Sequence, residues 1–404
     1  MRDRRLAIIF SVVLVDMLSF SIVLPLLAYF AKDLGATKLQ AGLLLAIYPL
    51  AQFVGAPILG RLSDRWGRRP VLIVSIFGTM CGFVVLGVAT SLAVLFVSRF
   101  VDGITGGNIS VAQAYITDIT DAKSRGKALG MIGAAFGLGF ILGPATGGLL
   151  SSFGYAVPAF VGAGLAAINM ALVAFLLPES LTAQDRARLT ARKKPLFDWR
   201  GLAEALGHPR VGPLLRIRFV IGFSFAMFEG GFSLWSEAIG IPQQVNGLIL
   251  AYVGILSVVV QLVFIGRLTA RYSDDGLILS FLSLAAFALF GWGFMPGALA
   301  LIAFMPLLSF GLAVTNTITT SALTKSVHHD EVGGILGIQT SIASLTRIPA
   351  PIVAGWLIGA VAVWAPGVVA GLLTAAAVPY AYRTLCWRPG QKACTEDELI
   401  SQAE

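Results

Sequence analysis

The sequence predicts an all-α membrane protein with twelve transmembrane helices in two pseudo-symmetric six-helix bundles. Three observations lead there. Of 404 residues, 57% are hydrophobic and only 12% are charged, with mean hydropathy +0.84; soluble chains carry about 25% charge. Twelve apolar runs are each long enough to cross ~30 Å of hydrocarbon as a helix at ~1.5 Å per residue. Two separate stretches then recur in the second half of the chain at offsets of 206 and 207 residues.

The spans fall near 6–30, 39–59, 71–90, 92–117, 127–150, 155–177, 214–236, 246–266, 276–295, 297–322, 332–358 and 361–382. The first has a basic start, but it is too long for a signal-peptide core, so it is predicted to be the first helix. Asp16 lies midway along it. A lone carboxylate at that depth is costly and is a functional candidate.

Spans two and three are joined by Gly60-Arg61-Leu62-Ser63-Asp64-Arg65-Trp66-Gly67-Arg68-Arg69-Pro70. This reads as a tight basic hairpin. Gly60 is expected to end one helix, and Asp64 to lie near the start of the next, where an acid suits the dipole. Gly67 allows a close approach, and Pro70 suits a first helical turn.

Span four holds Arg99 and, on the same helical face, Asp102 three residues on; it ends with Asp118. Arg99 must face protein or water. It either pairs with Asp102 or works with it in proton transfer. Span five contains Gly139, Gly143, Pro144, Gly147 and Gly148. Small residues at spacing four let helices approach closely, and Pro144 kinks the helix and frees a carbonyl. Span six closes with Leu177-Pro178-Glu179-Ser180.

The expected organisation is an N-terminal bundle at 1–180, a basic cytoplasmic linker at 181–213 (with Arg186, Arg188, Arg192, Lys193 and Lys194), a C-terminal bundle at 214–382 and a cytoplasmic tail at 383–404. Within the C-terminal bundle, Glu229 sits in span seven, the counterpart of span one. Arg347 sits in span eleven, as a counter-charge for Glu229 or Asp16 or as a contact for an anionic substrate. Gln261 and Asn316 add neutral polar groups to spans eight and ten, more simply read as interhelical hydrogen bonds.

Of the 29 Lys and Arg residues, Lys32 and Lys38 alone fall in far-side loops, and Arg99 and Arg347 within spans; the other 25 lie on the near side. That asymmetry predicts cytoplasmic termini in a cell inner membrane, and it accounts for the net charge of +8 without nucleic acid. The three cysteines, Cys81, Cys386 and Cys394, make no metal spacing or disulfide framework. His208, His328 and His329 all fall in loops, so no metal site, cofactor or catalytic set is expected. No phosphate-cradling glycine-lysine loop is present.

The repeats relate the two halves. Gly266-Arg267-Leu268-Thr269-Ala270-Arg271-Tyr272 repeats Gly60 to Trp66, while Gly130, Pro144 and Gly148 recur as Gly337, Pro351 and Gly355. In the second copy of the hairpin Asp64 becomes Ala270 and Arg68 becomes Asp274, which reads as decay.

The hairpin closely resembles the G-x-L-a-D-r-x-G-r-r-x signature of the major facilitator superfamily of secondary transporters. Arg99-Phe100-Val101-Asp102-Gly103 matches that family's R-F-x-x-G signature. The resemblance implies parallel halves with a substrate site between them near the midplane. It also implies a bond from Arg68 to Asp118 that latches one conformation together with Gly60, Asp64 and Gly67. The Gly139–Gly148 string resembles the antiporter signature of the twelve-span drug:proton exporters, and Gly126–Leu149 looks most like the tetracycline exporters. Those carry acids in spans three and nine; here Val71–Thr90 and Gly276–Phe294 have none, which argues against a metal–tetracycline cation.

The resulting expectation is a monomeric, proton-coupled exporter of small amphipathic molecules and not an enzyme. Protons are carried by Asp16 or Glu229, with Asp102 in reserve; Arg99, Arg347, Gln261 and Asn316 line the cavity. A symporter or facilitator for a nutrient is the alternative in the same class, and a non-transporting membrane sensor or scaffold is the alternative of another class.

Overall fold

A computed structural model describes residues 2–120, 122–191, 199–209, 211–327 and 332–386. Arg192, Lys193, Lys194, His328, His329 and Cys394 lie outside these residues. Among the described residues, twelve helices are long and apolar enough to cross a membrane. They are α1 (Arg4–Asp33), α2 (Lys38–Trp66), α3 (Arg68–Gly87), α4 (Leu92–Ile119), α5 (Met131–Phe153), α6 (Ala156–Leu176), α7 (Val211–Ala238), α8 (Gln243–Arg271), α9 (Asp274–Trp292), α10 (Ala298–Lys325), α11 (Ser341–Ala360) and α12 (Ala365–Leu385). Two short helices, Ala183–Ala191 and Trp199–Gly207, occupy the linker.

Local chemistry sets the ends and the breaks. Thr37 caps α2: it accepts from the Gln40 amide at 3.2 Å, while its own amide donates to the Gln40 side chain at 2.8 Å. Ser273 caps α9. Pro25 lies in a 3₁₀ turn, Leu24–Leu26, within α1. α4 is interrupted after Thr105 and resumes at Asn108, where two glycines in succession, Gly106 and Gly107, supply no side chain to hold the turn. α11 breaks at Ile348, just before Pro349. A π turn, Val260–Phe264, lies in α8.

The packing repeats from half to half. In the N-terminal half α1 packs on α5 and α6, α3 on α4 and α6, and α2 on α4. Each pair recurs six helices later: α7 on α11 and α12, α9 on α10 and α12, and α8 on α10. Between the halves, α2 packs on α11 and α5 on α8, which exchange under the same relation. Parallel halves about an axis normal to the membrane produce this pattern.

Three expectations change. α2 runs through Gly60 to Trp66, so Gly60 does not end it. In a helix already carried by tertiary packing, one glycine costs only about 1 kcal/mol. Asp64 therefore lies in the last turn of α2 and not at the start of α3. Arg216 and Arg218, counted with the near-side loops although they fall within the span 214–236, lie inside α7.

Candidate functional site

The α2–α3 hairpin is built around Arg68, which is only 5% exposed. Its guanidinium meets Asp64 at 2.6 Å and Asp118 at 3.0 Å, and donates to the Ser63 hydroxyl at 2.6 Å. The acid at the start of α3 is Glu179, which accepts from the Arg68 and Arg69 amides at 2.9 and 3.1 Å. A carboxylate there satisfies orphan amides and suits the helix dipole. Gly67 has φ +108°, and a Cβ on it would meet the Glu179 carboxylate at 2.5 Å. The sequence shows Glu179 closing span six but not its bond to the hairpin, which lies more than a hundred residues away.

The second hairpin keeps an ion pair with reversed signs. Asp274, at the position matching Arg68, meets Lys325 at 2.7 Å; Lys325 lies 207 residues after Asp118. Decay is therefore the wrong description at this position, since a compensating change sits on α10.

Between the halves lies a cavity of about 670 Å³, open mouth included. Its apolar wall includes Phe20, Leu24, Leu27 and Leu44; Tyr48, Gln52, Arg99, Glu229 and Arg347 supply its polar groups. Arg347 contacts both Glu229 oxygens at 3.3 Å. Arg99 meets Asp102 at 3.0 Å behind the wall, with the Phe83 ring 5.2 Å from its guanidinium carbon. Asp16 is not part of the lining. It accepts from Asn108 Nδ2 at 2.6 Å, at the residue where α4 resumes. Gln261 and Asn316 are exposed and stand apart from the lining.

The glycine-rich string in α5 serves two partners. Gly139, Gly143 and Gly147 face Met17, Ser21 and Ile22 of α1, where Ser21 Oγ donates to the Gly139 carbonyl at 2.7 Å. Pro144 and Gly148 face α8, and a Cβ on Gly247 would run into the Pro144 carbonyl. Pro351 and Gly355, their repeats, face Gly42 and the Lys38 carbonyl of α2. The internal repeat thus marks both seams between the halves.

At the end opposite the hairpins, Glu237 is buried, its side chain 4% exposed, and takes Lys32 at 2.7 Å together with Lys38. Tyr29 donates to the Ile241 carbonyl at 3.0 Å, and Gln243 to the Ser151 carbonyl at 3.2 Å. Tyr155 Oη donates to Asp33 at 2.8 Å; burial first, then Asp33, push this phenol well above its ordinary pKa, so it remains a donor. The bonds of Glu237, Tyr29 and Gln243 tie the two halves together at this end. Glu237 was missed by sequence reasoning. The available signal was that Lys32 and Lys38 are the two far-side cations.

The sequence profile of the Major Facilitator Superfamily matches residues 9–351. The chain is 31% identical to tetracycline resistance protein class C of Escherichia coli over 87% of its own length and 89% of that protein's. It is 27% identical to multidrug resistance protein 2 of Bacillus subtilis over 87% and 88%. It is 30% identical to solute carrier family 22 member 18 of Mus musculus over 82% and 84%. Among solved structures, the human organic anion transporter MFSD10 (TETRAN) aligns with TM-score 0.67 at 22% identity, covering 94% of this chain and 99% of that one. A bacterial homologue of the human lysosomal transporter Spinster, inward-facing and unoccupied, aligns with TM-score 0.72 at 15% identity, covering 96% and 99%.

Proposed function

The chain belongs to the major facilitator superfamily, and on that premise we propose that it is a proton-coupled antiporter exporting small amphipathic molecules by alternating access. The observation that carries this reading is the cavity itself. It places Glu229, Arg347 and Arg99 among apolar side chains at the contact of two pseudo-symmetric halves that are bonded to each other at the end opposite the hairpins.

In this reading the hairpins, the linker and both termini face the cytoplasm of an inner-membrane protein, and the working unit is a monomer. The arrangement described is then the one that loads from the cytoplasm. Export requires the α2–α11 and α5–α8 seams to part while the hairpin ends close. The likeness to named resistance proteins supports small-molecule efflux. The substrate differs from a metal–tetracycline cation, because α3 and α9 carry no acid between Val71 and Thr90 or between Gly276 and Phe294.

Proton coupling is assigned to carboxylates that exchange partners between states. Asp16 bonds Asn108 at the α4 break, so its protonation acts on the joint between the two parts of α4. Glu229 is held by Arg347 on the cavity wall. Asp102 is committed to Arg99 and is the reserve.

The test is a proton-flux panel: purified protein in acid-loaded vesicles, candidate compounds added singly, and lumenal pH recorded. Antiport is expected to move protons against the compound. Protons moving with the compound would replace export by symport. Downhill compound flux without proton flux would leave a facilitator. No flux of any compound would leave the non-transporting sensor.

A further inference from the structure

The cavity wall has a surplus of hydrogen-bond donors. Two arginines and one carboxylate line it. Arg99 is 1% exposed; its Nη1 is used by Asp102, while its Nη2 is buried without a partner. Arg347 reaches Glu229 through Nη2 alone, at 3.3 Å to each oxygen, with a side chain 44% exposed. Tyr48 accepts from Gln52 Nε2 at 3.1 Å, and Gln52 also donates to the Gly106 carbonyl at 2.7 Å. Among the described residues the Tyr48 hydroxyl proton and the remaining Arg347 nitrogens have no acceptor. Arg218, without an acid partner among those residues, adds a like charge within electrostatic range of Arg347. A buried donor without an acceptor is costly, and a guanidinium presents a planar fork that matches a carboxylate or sulfonate.

We infer that the cavity recognises an organic monoanion, its acid group held by Arg347 and Tyr48 with the charge of Arg99 behind them, its apolar body lying on Phe20, Leu24 and Leu44. This rests on the reading that the cavity is the substrate site. The anion competes with Glu229 for Arg347, so Glu229 acts as a positioning residue that limits affinity. A cation would do the reverse, using Glu229 and displacing Arg347. Proton coupling at Asp16 is compatible with an anion, because Asp16 lies off the lining and acts through the α4 break instead of by local competition.

The experiment compares three probes with one ring system: 2-naphthylacetate, 2-naphthylethanol and 2-naphthylethylammonium. Each is titrated by calorimetry into the full chain in detergent, with size-exclusion profiles confirming that every variant is folded. The acetate is expected to bind about tenfold or more tighter than the alcohol, the scale of one charge-assisted hydrogen bond. Arg347→Gln should erase that preference by weakening acetate to the level of the alcohol, whereas Glu229→Gln should tighten acetate several-fold. Tyr48→Phe should weaken acetate about tenfold. Should Arg347→Gln fail to fold, Arg347→Lys, which keeps the charge and loses the fork, should retain only part of the preference.

The anion inference is overturned if the ammonium binds tightest, or if the substitution at Arg347 leaves the acetate-to-alcohol ratio unchanged. Leu24→Cys capped with a bulky maleimide separates the two levels. Binding of all probes lost on capping, with no anion preference before it, sinks the anion inference alone. Binding that survives capping, or none by any probe, sinks the cavity reading and this inference with it.

Discussion

Asp16 and Glu229 occupy matching helices, α1 and α7, yet the surrounding side chains hold them differently. Asp16 has a neutral amide partner, Asn108, whereas Glu229 has a cation, Arg347. Losing the charge at Asp16 leaves an amide facing Asn108, which can still hydrogen-bond; losing it at Glu229 releases a guanidinium into the cavity. Asp16→Asn is therefore expected to keep substrate exchange and to abolish uphill, pH-driven efflux, read as counterflow against gradient-driven transport in vesicles. Glu229→Gln should lower coupling as well, with altered substrate affinity. If both variants, singly and together, still concentrate substrate with unchanged proton flux, coupling runs elsewhere, with Asp102 next to be tested.

At the scale of the element, α5 carries two packing faces on one glycine-rich string. The Gly143 and Gly147 face is intrinsic to the N-terminal half, while the Pro144 and Gly148 face is a seam with α8. Gly143→Leu with Gly147→Leu should thus disturb the α1–α5 contact, and export should be lost while insertion persists. Unchanged efflux from that double variant would remove the antiporter argument. Gly247→Leu attacks the seam alone and should leave each half folded but favour separation of α5 from α8. The hairpins offer a second test. Asp274→Lys or Lys325→Asp alone places like charges together, and each should lower transport. The double exchange should restore it, by a coupling of about 0.2–1 kcal/mol for an exposed pair. Failure of the double variant to recover would show that the reversed pair has no part in function.

For the molecule as a whole, Glu237, Tyr29 and Gln243 bond the halves to each other at the end opposite the hairpins. Glu237 binds two lysines from α1 and the start of α2, so one buried carboxylate ties α7 to two elements of the other half. Removing Glu237 is expected to cost less than the ~3–5 kcal/mol of a fully buried pair, because water takes up part of the charge of the two lysines left behind. Glu237→Gln is expected to destabilise the closed end and raise the reaction of Leu24→Cys with a membrane-impermeant maleimide added from that side. Reaction no faster than in the Glu237 protein would mean that the glycine seams alone hold this end. Because the Glu237 side chain is only 4% exposed, high salt should mimic the substitution only in part, acting mainly on Lys32, which is 60% exposed.

The number of spans, their grouping into halves, the hairpin and the α5 string are all legible in the sequence. Length against bilayer thickness and the small-residue spacing are local properties, and an internal repeat needs no coordinates. Arg68 with Asp118 and Arg99 with Asp102 were legible too, the first through resemblance and the second through helical spacing. What lay hidden were partners distant in sequence: Glu179 under Gly67, Asn108 on Asp16, Glu237 between two lysines, and Lys325 opposite Asp274. Tertiary packing decided these, and likewise that Gln261 and Asn316 are not among the cavity's lining residues. In a bilayer nearly every residue of a span is apolar, so hydropathy reports that a helix crosses but says little about which face meets protein. That choice is made by close packing and by the need of each buried polar group for a partner.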